Sequence, residues 1–353
     1  MSNDDPTQPL LSSNPNANAS GPLPSPPIPF PNRVLDFLSV WTLKALFRAY
    51  TTLLHLLSLL RLRPRPSLVK TYPCAPHSPV RIFLPPKSNA GRPPPLLISI
   101  HGGGFALGHP IIDDPDAHLY ATHHALAVAN IGYRLAPQSR FPGPAHDVAA
   151  LIAALLADAA LPVDLARGVA VCGYSAGANL ALAAPQLLPA EIRPKGAVAF
   201  YPVVDFALDH AARVARAQRG PARGAPNQHF GWVRWAYVRE GQDLRDPLLS
   251  PVFAARRALP EKVCLVGCEL DMLCAEAEDM AEGLARGGGE GERKAEGEGA
   301  WRTRNVRWEK VAGQVHGFNQ FVSFGEGARV ARARTERMHA DVARWLFEEV
   351  YTQ

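Results

Sequence analysis

A serine between two glycines follows a short apolar run near the middle of the chain. Residues 169–172 are apolar, Gly173-Tyr174-Ser175-Ala176-Gly177 comes next, and a helical pattern of apolar residues follows. A G-x-S-x-G sequence between a strand and a helix is typical of a sharp turn that exposes the serine hydroxyl. The glycines let the turn close without a Cβ clash, and the helix points its amino terminus at developing negative charge. We predict that Ser175 is a nucleophile.

A run of three glycines lies upstream of this serine and directly after another apolar run. Residues 96–100 lead into His101-Gly102-Gly103-Gly104-Phe105. Glycine leaves the backbone N–H groups unobstructed, so a carbonyl oxygen that gains negative charge can approach them closely. The run therefore predicts an oxyanion hole, and a plain flexible loop is the alternative interpretation.

A serine hydroxyl is a weak nucleophile that needs a base, and the base needs an orienting acid. The apolar run at 263–266 leads to Glu269 and Asp271, and the run at 306–311 precedes His316. The chain order of serine, acid and histidine is that of α/β-hydrolases and differs from the chymotrypsin and subtilisin orders. On these grounds both Glu269 and Asp271 are candidates for the acid.

The elements that must position these residues are short apolar runs that alternate with helical patterns. Candidate strands are 80–84, 96–100, 125–133, 169–172, 197–201, 263–266 and 306–311. Candidate helices are 147–160, 176–187, 275–285 and 328–350. This alternation predicts an α/β fold with a mostly parallel central sheet flanked by helices on both faces. The three chemical residues then converge on one edge of the sheet.

The composition limits the remaining possibilities. The chain has 353 residues, of which 47% are hydrophobic and 20% are charged, as in an ordinary globular protein. The net charge of +5 comes from scattered arginines without a dense basic run, so nucleic acid is not an expected partner. The start of the chain carries no secretory signal pattern, which predicts a cytoplasmic protein that is not secreted.

Three segments stand out from the catalytic domain predicted at 63–353. Residues 1–32 are rich in Pro, Ser and Asn and are predicted to be a disordered tail. Residues 206–259 are too long and irregular for a simple connection, so they are predicted to be a cap insertion. Residues 287–299, which are rich in Gly and Glu, are predicted to be a low-complexity loop.

A strongly apolar segment at 33–62 separates the tail from the catalytic domain. Polar residues recur in it every three or four positions, which predicts an amphipathic helix. Its longest uncharged stretch, 49–60, is too short to span a bilayer of about 30 Å. Two interpretations stay open: the helix packs on the enzyme as part of the cap, or it makes a peripheral contact with an intracellular membrane through 34–65.

Six motifs together resemble the hormone-sensitive lipase-like group of α/β-hydrolases, which includes arylacetamide deacetylase-like esterases. They are HGGGF at 101–105, YRLAP at 133–137, GYSAG at 173–177, D-x₃-SP at 246–251, Asp271, and HGF at 316–318. The resemblance covers residues 80 to 350. It implies an α/β-hydrolase fold with a helical cap, a catalytic triad of Ser175, Asp271 and His316, and oxyanion donors from the backbones of Gly103, Gly104 and Ala176.

The activity that the resemblance implies is serine carboxylic-ester hydrolysis through an acyl-enzyme, without a cofactor or a metal. We expect Phe105 and Tyr174 to contact the substrate. The apolar helix and the aromatic-rich insertion predict that this substrate is an apolar small-molecule or short-acyl ester. The chain departs from the usual pattern of the group at Tyr174, Ala178, Met272 and Gln138. None of these departures removes a catalytic atom, but they leave the subfamily and the substrate open.

Three alternatives remain at this stage. The first is a lipase, or a steryl or secondary-metabolite acetyl esterase, that works at a membrane surface. The second is a non-catalytic binder like the plant gibberellin receptors, which resemble this group but lack the triad histidine. The third is a metal-dependent hydrolase whose ligands are acids and histidines at helical spacing. The favoured interpretation of these residues is instead a solvated helix face that binds no metal. The candidate ligands are Asp113, Asp114, Asp116, His118, His123 and His124.

Overall fold

The computed structural model describes residues 21–86, 92–217, 230–287, 291–320 and 325–352. The strands in chain order are β1 (Leu68–Lys70), β2 (Val80–Phe83), β3 (Leu96–Ile100), β4 (Ala127–Ile131), β5 (Val169–Tyr174), β6 (Gly196–Phe200), β7 (Lys262–Cys268), β8 (Lys294–Gly297), β9 (Ala300–Arg302) and β10 (Val306–Val311). The α-helices are α1 (Phe30–Leu59), α2 (Asp114–His124), α3 (Gly143–Leu156), α4 (Ala176–Ala183), α5 (His210–Arg216), α6 (Phe230–Tyr237), α7 (Cys274–Arg286) and α8 (Gly325–Glu349).

These strands form one sheet in the order β1-β2-β4-β3-β5-β6-β7-β10-β9-β8. The middle strands from β4 to β10 run parallel, and the strands at both edges run antiparallel. Alternate residues of the middle strands point into two separate cores, as Ile98 and Leu97 do on β3. Burial on both faces explains why these strands are continuous apolar runs. The predicted α/β-hydrolase architecture is confirmed.

The edge strands β1, β8 and β9 were not predicted because they lack apolar runs. The prediction of a loop at 287–299 is wrong for Lys294–Gly297, which pairs with β9. This strand is fully exposed, so its formation depends on backbone pairing and on charge instead of apolar burial. Glu296 reaches Arg302 at 3.0 Å and Arg307 at 2.9 Å, which ties the exposed hairpin to β10.

The predicted disordered tail is wrong for residues 21–32, while residues 1–20 lie outside the described part. Ser25 is buried, and its backbone exchanges hydrogen bonds with residues 241 and 242 at 3.0 and 2.7 Å. The Leu23 N–H donates to Asp243 Oδ1 at 2.8 Å. Proline favours such an extended backbone as readily as it favours disorder, so its abundance alone could not distinguish the two.

Helix α1 covers the predicted amphipathic segment as far as Leu59 and packs against α6. The Phe37 and Trp235 rings meet edge to face at 6.0 Å, and Arg33 Nη2 lies 2.7 Å from Glu240 Oε2. Val40 and Leu54 are the buried apolar residues of α1. None of the helices in the described ranges is long and apolar enough to cross a membrane.

Candidate active site

The turn between β5 and α4 presents Ser175 above the sheet. Ser175 has φ +53° and ψ −114°, a strained conformation for a residue with a side chain. A Cβ on Gly173 would lie 2.2 Å from the carbonyl oxygen of Gly177, and one on Gly177 would lie 2.1 Å from that of Ile100. Glycine is therefore required on both sides of the serine because the turn leaves no room for a methyl group.

His316 links Ser175 to Asp271 by two hydrogen bonds. Its Nε2 lies 2.9 Å from Ser175 Oγ, and its Nδ1 lies 2.5 Å from Asp271 Oδ2. A carboxylate oxygen accepts a hydrogen bond, so Nδ1 carries the hydrogen and the Nε2 lone pair faces the serine hydroxyl. Asp271 and His316 are both buried. The arrangement can move a proton from the serine oxygen to the imidazole.

The two candidate acids have different partners. Asp271 follows β7 and bonds to the imidazole, and its other oxygen accepts the Leu273 N–H at 3.1 Å. Glu269 Oε2 accepts the backbone N–H of Gly313 at 2.8 Å. The sequence offers both carboxylates as the acid of the triad. In the structure Asp271 is hydrogen-bonded to His316, while Glu269 holds the start of the loop that carries His316.

The glycine run after β3 has a fixed conformation. Gly103 and Gly104 have φ +116° and +59°, which favour glycine. The Gly103 carbonyl accepts the Leu107 N–H at 2.8 Å, and a Cβ at Gly104 would lie 2.6 Å from the Trp232 ring. Gly103, Gly104 and Ala176 line one cavity together with Ser175. These angles and contacts are those of a structured turn beside Ser175, and the oxyanion hole stays a prediction.

His101 directly precedes the glycine run and supports its backbone through a side-chain hydrogen bond. Its ring stacks on Tyr133 with centroids 4.5 Å apart, and its Nδ1 donates to the Gly102 carbonyl at 2.8 Å. The Tyr133 hydroxyl donates in turn to the His101 carbonyl at 3.1 Å. Burial lowers the pKa of His101 to about 4, so the ring is neutral and structural at neutral pH. The YRLAP tyrosine therefore braces the HGGG motif.

A cavity of about 710 Å³ opens above Ser175. Helix α1 provides Leu38, Ser39, Thr42, Leu43 and Phe47 to its wall, and α6 provides Trp232 and Val233. The loops after the strands complete it with Leu107, Tyr201, Val203, Leu273 and Gln320. A mostly apolar cavity of this size suits a small organic molecule.

The two predicted substrate contacts have different positions. Phe105 lies at the cavity wall, with its fully buried ring stacked on Tyr237 at 3.8 Å. Tyr174 is not among the residues that line this cavity, so the prediction that it contacts substrate there is wrong. Side chains along a strand point alternately to the two faces of the sheet. The Tyr174 side chain lies in the core on one face, where its ring stacks on Phe200 with centroids 4.9 Å apart.

The other departures from the group's pattern lie close to the site without entering the triad. Ala178 is buried in α4, and Met272 is buried beside Asp271. Gln138 Oε1 accepts a hydrogen bond from Lys44 Nζ of α1 at 3.2 Å. The residue after YRLAP therefore contacts the amino-terminal helix.

The acids at the start of α2 are buried, so the interpretation as a solvated helix face is wrong for Asp113, Asp114 and Asp116. Asp114 Oδ1 pairs with Arg81 Nε at 2.9 Å, and the other two carboxylates accept hydrogen bonds from loop amides. In the described ranges no three His, Cys, Asp or Glu side chains are grouped as metal ligands. The acids bind other side chains instead.

Comparison with known families agrees with this geometry. Residues 97–319 match the family described as the alpha/beta hydrolase fold, a span that runs from β3 to the loop after His316. The chain belongs to the alpha/beta hydrolase family. The resemblance that the six motifs carry is thereby confirmed, since the matched span contains them all.

Several relatives of this alpha/beta hydrolase are esterases. An ethyl acetate hydrolase of Pseudomonas putida is 31% identical over 198 residues, 54% of this chain and 61% of that protein. An arylesterase of Saccharolobus solfataricus is 31% identical over 213 residues, 60% of this chain and 67% of that one. A solved ester hydrolase from the metagenome of Lake Arreo superposes with a TM-score of 0.61 and 28% identity, covering 79% of this chain and 85% of the other. This chain thus spans about 61% of the first relative's length.

Proposed function

We propose that this alpha/beta hydrolase is a serine carboxylic-ester hydrolase whose triad is Ser175, His316 and Asp271. The observation that carries the proposal is the continuous pair of hydrogen bonds, 2.9 Å from Ser175 Oγ to His316 Nε2 and 2.5 Å from His316 Nδ1 to Asp271 Oδ2. The esterase names of its relatives support the same reaction class.

In the first half-reaction His316 Nε2 takes the proton of Ser175 as the serine oxygen attacks the ester carbonyl carbon. The carbonyl oxygen becomes an oxyanion, which the backbone N–H groups of Gly103, Gly104 and Ala176 hold by hydrogen bonds. His316 then gives the proton to the leaving alcohol, and an acyl-enzyme remains. Asp271 keeps the imidazole in the required tautomer and stabilises its charged form.

In the second half-reaction water attacks the acyl-enzyme, with His316 again acting as the base. The proton returns to Ser175 when the serine oxygen leaves, and the carboxylic acid is released. Apart from the attacking water, every step uses side chains and backbone groups of this chain, so the mechanism needs no cofactor.

Replacement of the nucleophile tests this proposal. We expect Ser175→Ala to lower kcat on a p-nitrophenyl ester by at least about a thousandfold, because the triad acts as a unit. A fluorophosphonate probe should label the wild-type chain at Ser175 and leave Ser175→Ala unlabelled. Activity of Ser175→Ala within tenfold of the wild type would refute the assignment, and an unlabelled wild type would favour the receptor-like alternative.

The substrate that the cavity fits best is an ester with an apolar acyl or alcohol group. Its wall is mainly leucine, valine and aromatic, and polar groups concentrate near Ser175 and His316. Helices α1 and α6 cover this cavity and form the cap of the enzyme in this proposal. The cap excludes water from the reacting atoms and binds the apolar part of the substrate.

The outer face of α1 supports a second proposal, a peripheral contact with an anionic lipid surface. Twelve of the large exposed apolar side chains in the described part fall between residues 30 and 62. Leu38 also lines the cavity and Phe37 packs on Trp235, whereas Leu46, Leu53 and Leu56 are outside the cavity wall. The segment 30–65 carries six Lys and Arg residues against one acid. An apolar helix face bordered by positive charge binds anionic lipid headgroups, and each basic residue contributes about 1 kcal/mol near such a surface.

Vesicle binding tests this contact. We expect the wild-type chain to sediment with phosphatidylglycerol vesicles and much less with phosphatidylcholine vesicles, and Leu46→Ser/Leu53→Ser/Leu56→Ser to lose sedimentation. The same triple variant should hydrolyse a water-soluble ester within twofold of the wild type, because the three leucines do not line the cavity. Equal sedimentation of the variant, or a dimer that hides this face in the wild type, would contradict the membrane contact.

A further inference from the structure

The loop that carries His316 has little regular structure of its own. Before His316 the loop is tied to the segment after β7, because Gly313 N–H donates to Glu269 Oε2 at 2.8 Å and Leu270 N–H donates to the Gln314 carbonyl at 2.9 Å. After His316 the backbone bonds from Phe318 to Val315 and from Gln320 to Gly317 stay within the loop itself. Proton transfer requires the imidazole to stay within about 0.5 Å of the productive geometry, so a loop of this kind needs support from its surroundings.

The residues after His316 receive that support from the start of α2. Asn319 Nδ2 donates to Asp116 Oδ2 at 3.0 Å, and Gln320 Nε2 donates to Asp113 Oδ1 at 2.8 Å. The two carboxyls lie 203 and 207 positions away in sequence, so the contacts are purely tertiary. Amide N–H groups that donate to carboxyl oxygens form strong, directional hydrogen bonds when the carboxyl is charged.

Asn319 is also held from the opposite side. The Tyr201 hydroxyl donates to Asn319 Oδ1 at 2.6 Å, and the Tyr201 ring meets the His316 ring at 4.9 Å. The Tyr201 backbone N–H is itself bonded to the carbonyl of Val266 in β7 at 2.6 Å. The side-chain amide of Asn319 is therefore hydrogen-bonded on one side to Asp116 of α2 and on the other to Tyr201, whose ring contacts His316.

Helix α2 is itself anchored on both sides. The Arg81 guanidinium on β2 pairs with the buried carboxylate of Asp114, and the Tyr120 hydroxyl of α2 lies 2.8 Å from His339 Nδ1 of α8. Burial, together with the neighbouring carboxylates, raises the pKa of Asp113 well above its ordinary range.

We propose that Asp113 and Asp116 are positioning residues for ester hydrolysis: they hold Gln320 and Asn319, and through them the loop that places His316 against Ser175. This inference rests on the proposed serine mechanism and extends it to acids outside the triad. It also gives the acidic start of α2 a function other than metal binding.

Variants at the Asp116 contact test the proposal. We expect Asp116→Ala to lower both kcat and the rate of fluorophosphonate labelling by about 10- to 100-fold, because a misplacement of about 1 Å costs that much in rate. KM should stay within threefold. Asp116→Asn should recover to within threefold of the wild type, because its amide oxygen can still accept from Asn319. The double variant Asp116→Ala/Asn319→Ala should be no slower than the slower single variant.

Asp158→Ala is the matched control. Asp158 accepts the Tyr72 hydroxyl at 2.6 Å and pairs with Lys70, so its loss removes comparable contacts far from the histidine loop. It should lower Tm while leaving the labelling rate within twofold of the wild type. Wild-type labelling at Ser175 with an unchanged rate in Asp116→Ala would overturn the positioning role alone, whereas an unlabelled wild type would overturn the serine mechanism. An equal loss of rate in Asp158→Ala would also overturn the positioning role, because it would show a general effect of destabilisation.

Discussion

At the scale of single residues, two histidines have different roles: one faces the serine nucleophile and the other supports the glycine run. His316 presents a ring nitrogen to Ser175 and is held by a carboxylate. His101 presents no nitrogen to the site; it stacks on Tyr133 and holds the glycine run through the Gly102 carbonyl. The surroundings of each ring, more than the residue type, thus determine whether an imidazole faces the nucleophile or supports the backbone.

The buried His101 predicts a specific dependence of stability on pH. An exposed histidine has a pKa of about 6.5, and burial lowers the pKa of His101 to about 4. Between these values the unfolded chain binds a proton that the folded chain does not, so the free energy of unfolding falls as pH falls. We expect the wild type to lose about 3 kcal/mol more than His101→Asn between pH 7 and pH 4.

Urea unfolding of both proteins at the two pH values measures this difference. A difference in unfolding free energy that is the same at both pH values reflects the stacking on Tyr133 that His101→Asn loses. The prediction therefore concerns only how this difference changes with pH. Parallel pH profiles would show that His101 is not the responsible group.

At the scale of elements, a buried ion pair joins the segment after β6 to the helix after the triad acid. Arg213 of α5 and Glu276 of α7 pair at 2.5 Å with both side chains 2% exposed. Glu276 Oε1 also accepts the backbone N–H of Val204 at 2.8 Å. This contact holds the first turn of α7, which begins three residues beyond Asp271, against the loop that carries Val203 at the cavity wall.

Loss of one partner of this pair should be costly. We expect Arg213→Met to lower the free energy of unfolding by about 3 to 5 kcal/mol, since it leaves a buried carboxylate without its counter-charge. Arg216→Met is the matched control on the same helix, because the Arg216–Asp279 pair is 30% and 21% exposed and should contribute less than about 1 kcal/mol. Equal destabilisation of the two variants in urea would contradict the role given to burial.

At the scale of the whole molecule, the site is completed by segments far apart in sequence. The sheet presents Ser175, Asp271 and His316 at one edge, while α1 closes the cavity with Leu43 and Phe47 among others. The amino-terminal helix is therefore expected to influence the choice of substrate more than the reaction itself.

Removal of residues 1–62 should change acyl-chain preference. Each buried methylene contributes about 0.8 kcal/mol, so we expect kcat/KM for a hexanoate ester to fall about tenfold or more relative to the acetate ester. Circular dichroism controls for folding, and Phe47→Ala in the full chain should shift the preference in the same direction. An unchanged ratio of hexanoate to acetate rates in Phe47→Ala and in the shortened chain would remove α1 from the substrate site.

The amino-acid order alone predicts the fold class, the central strands and the Ser175, Asp271 and His316 candidates, because buried parallel strands are apolar runs and the turns need glycine. It could not distinguish Glu269 from Asp271 on spacing alone, reveal the polar hairpin at β8, or foresee that Tyr174 points into the core. It also could not show that Asp113 and Asp116 bind the histidine loop. Contacts between residues some 200 positions apart leave no local pattern in the chain, so they become visible once the folded structure is known.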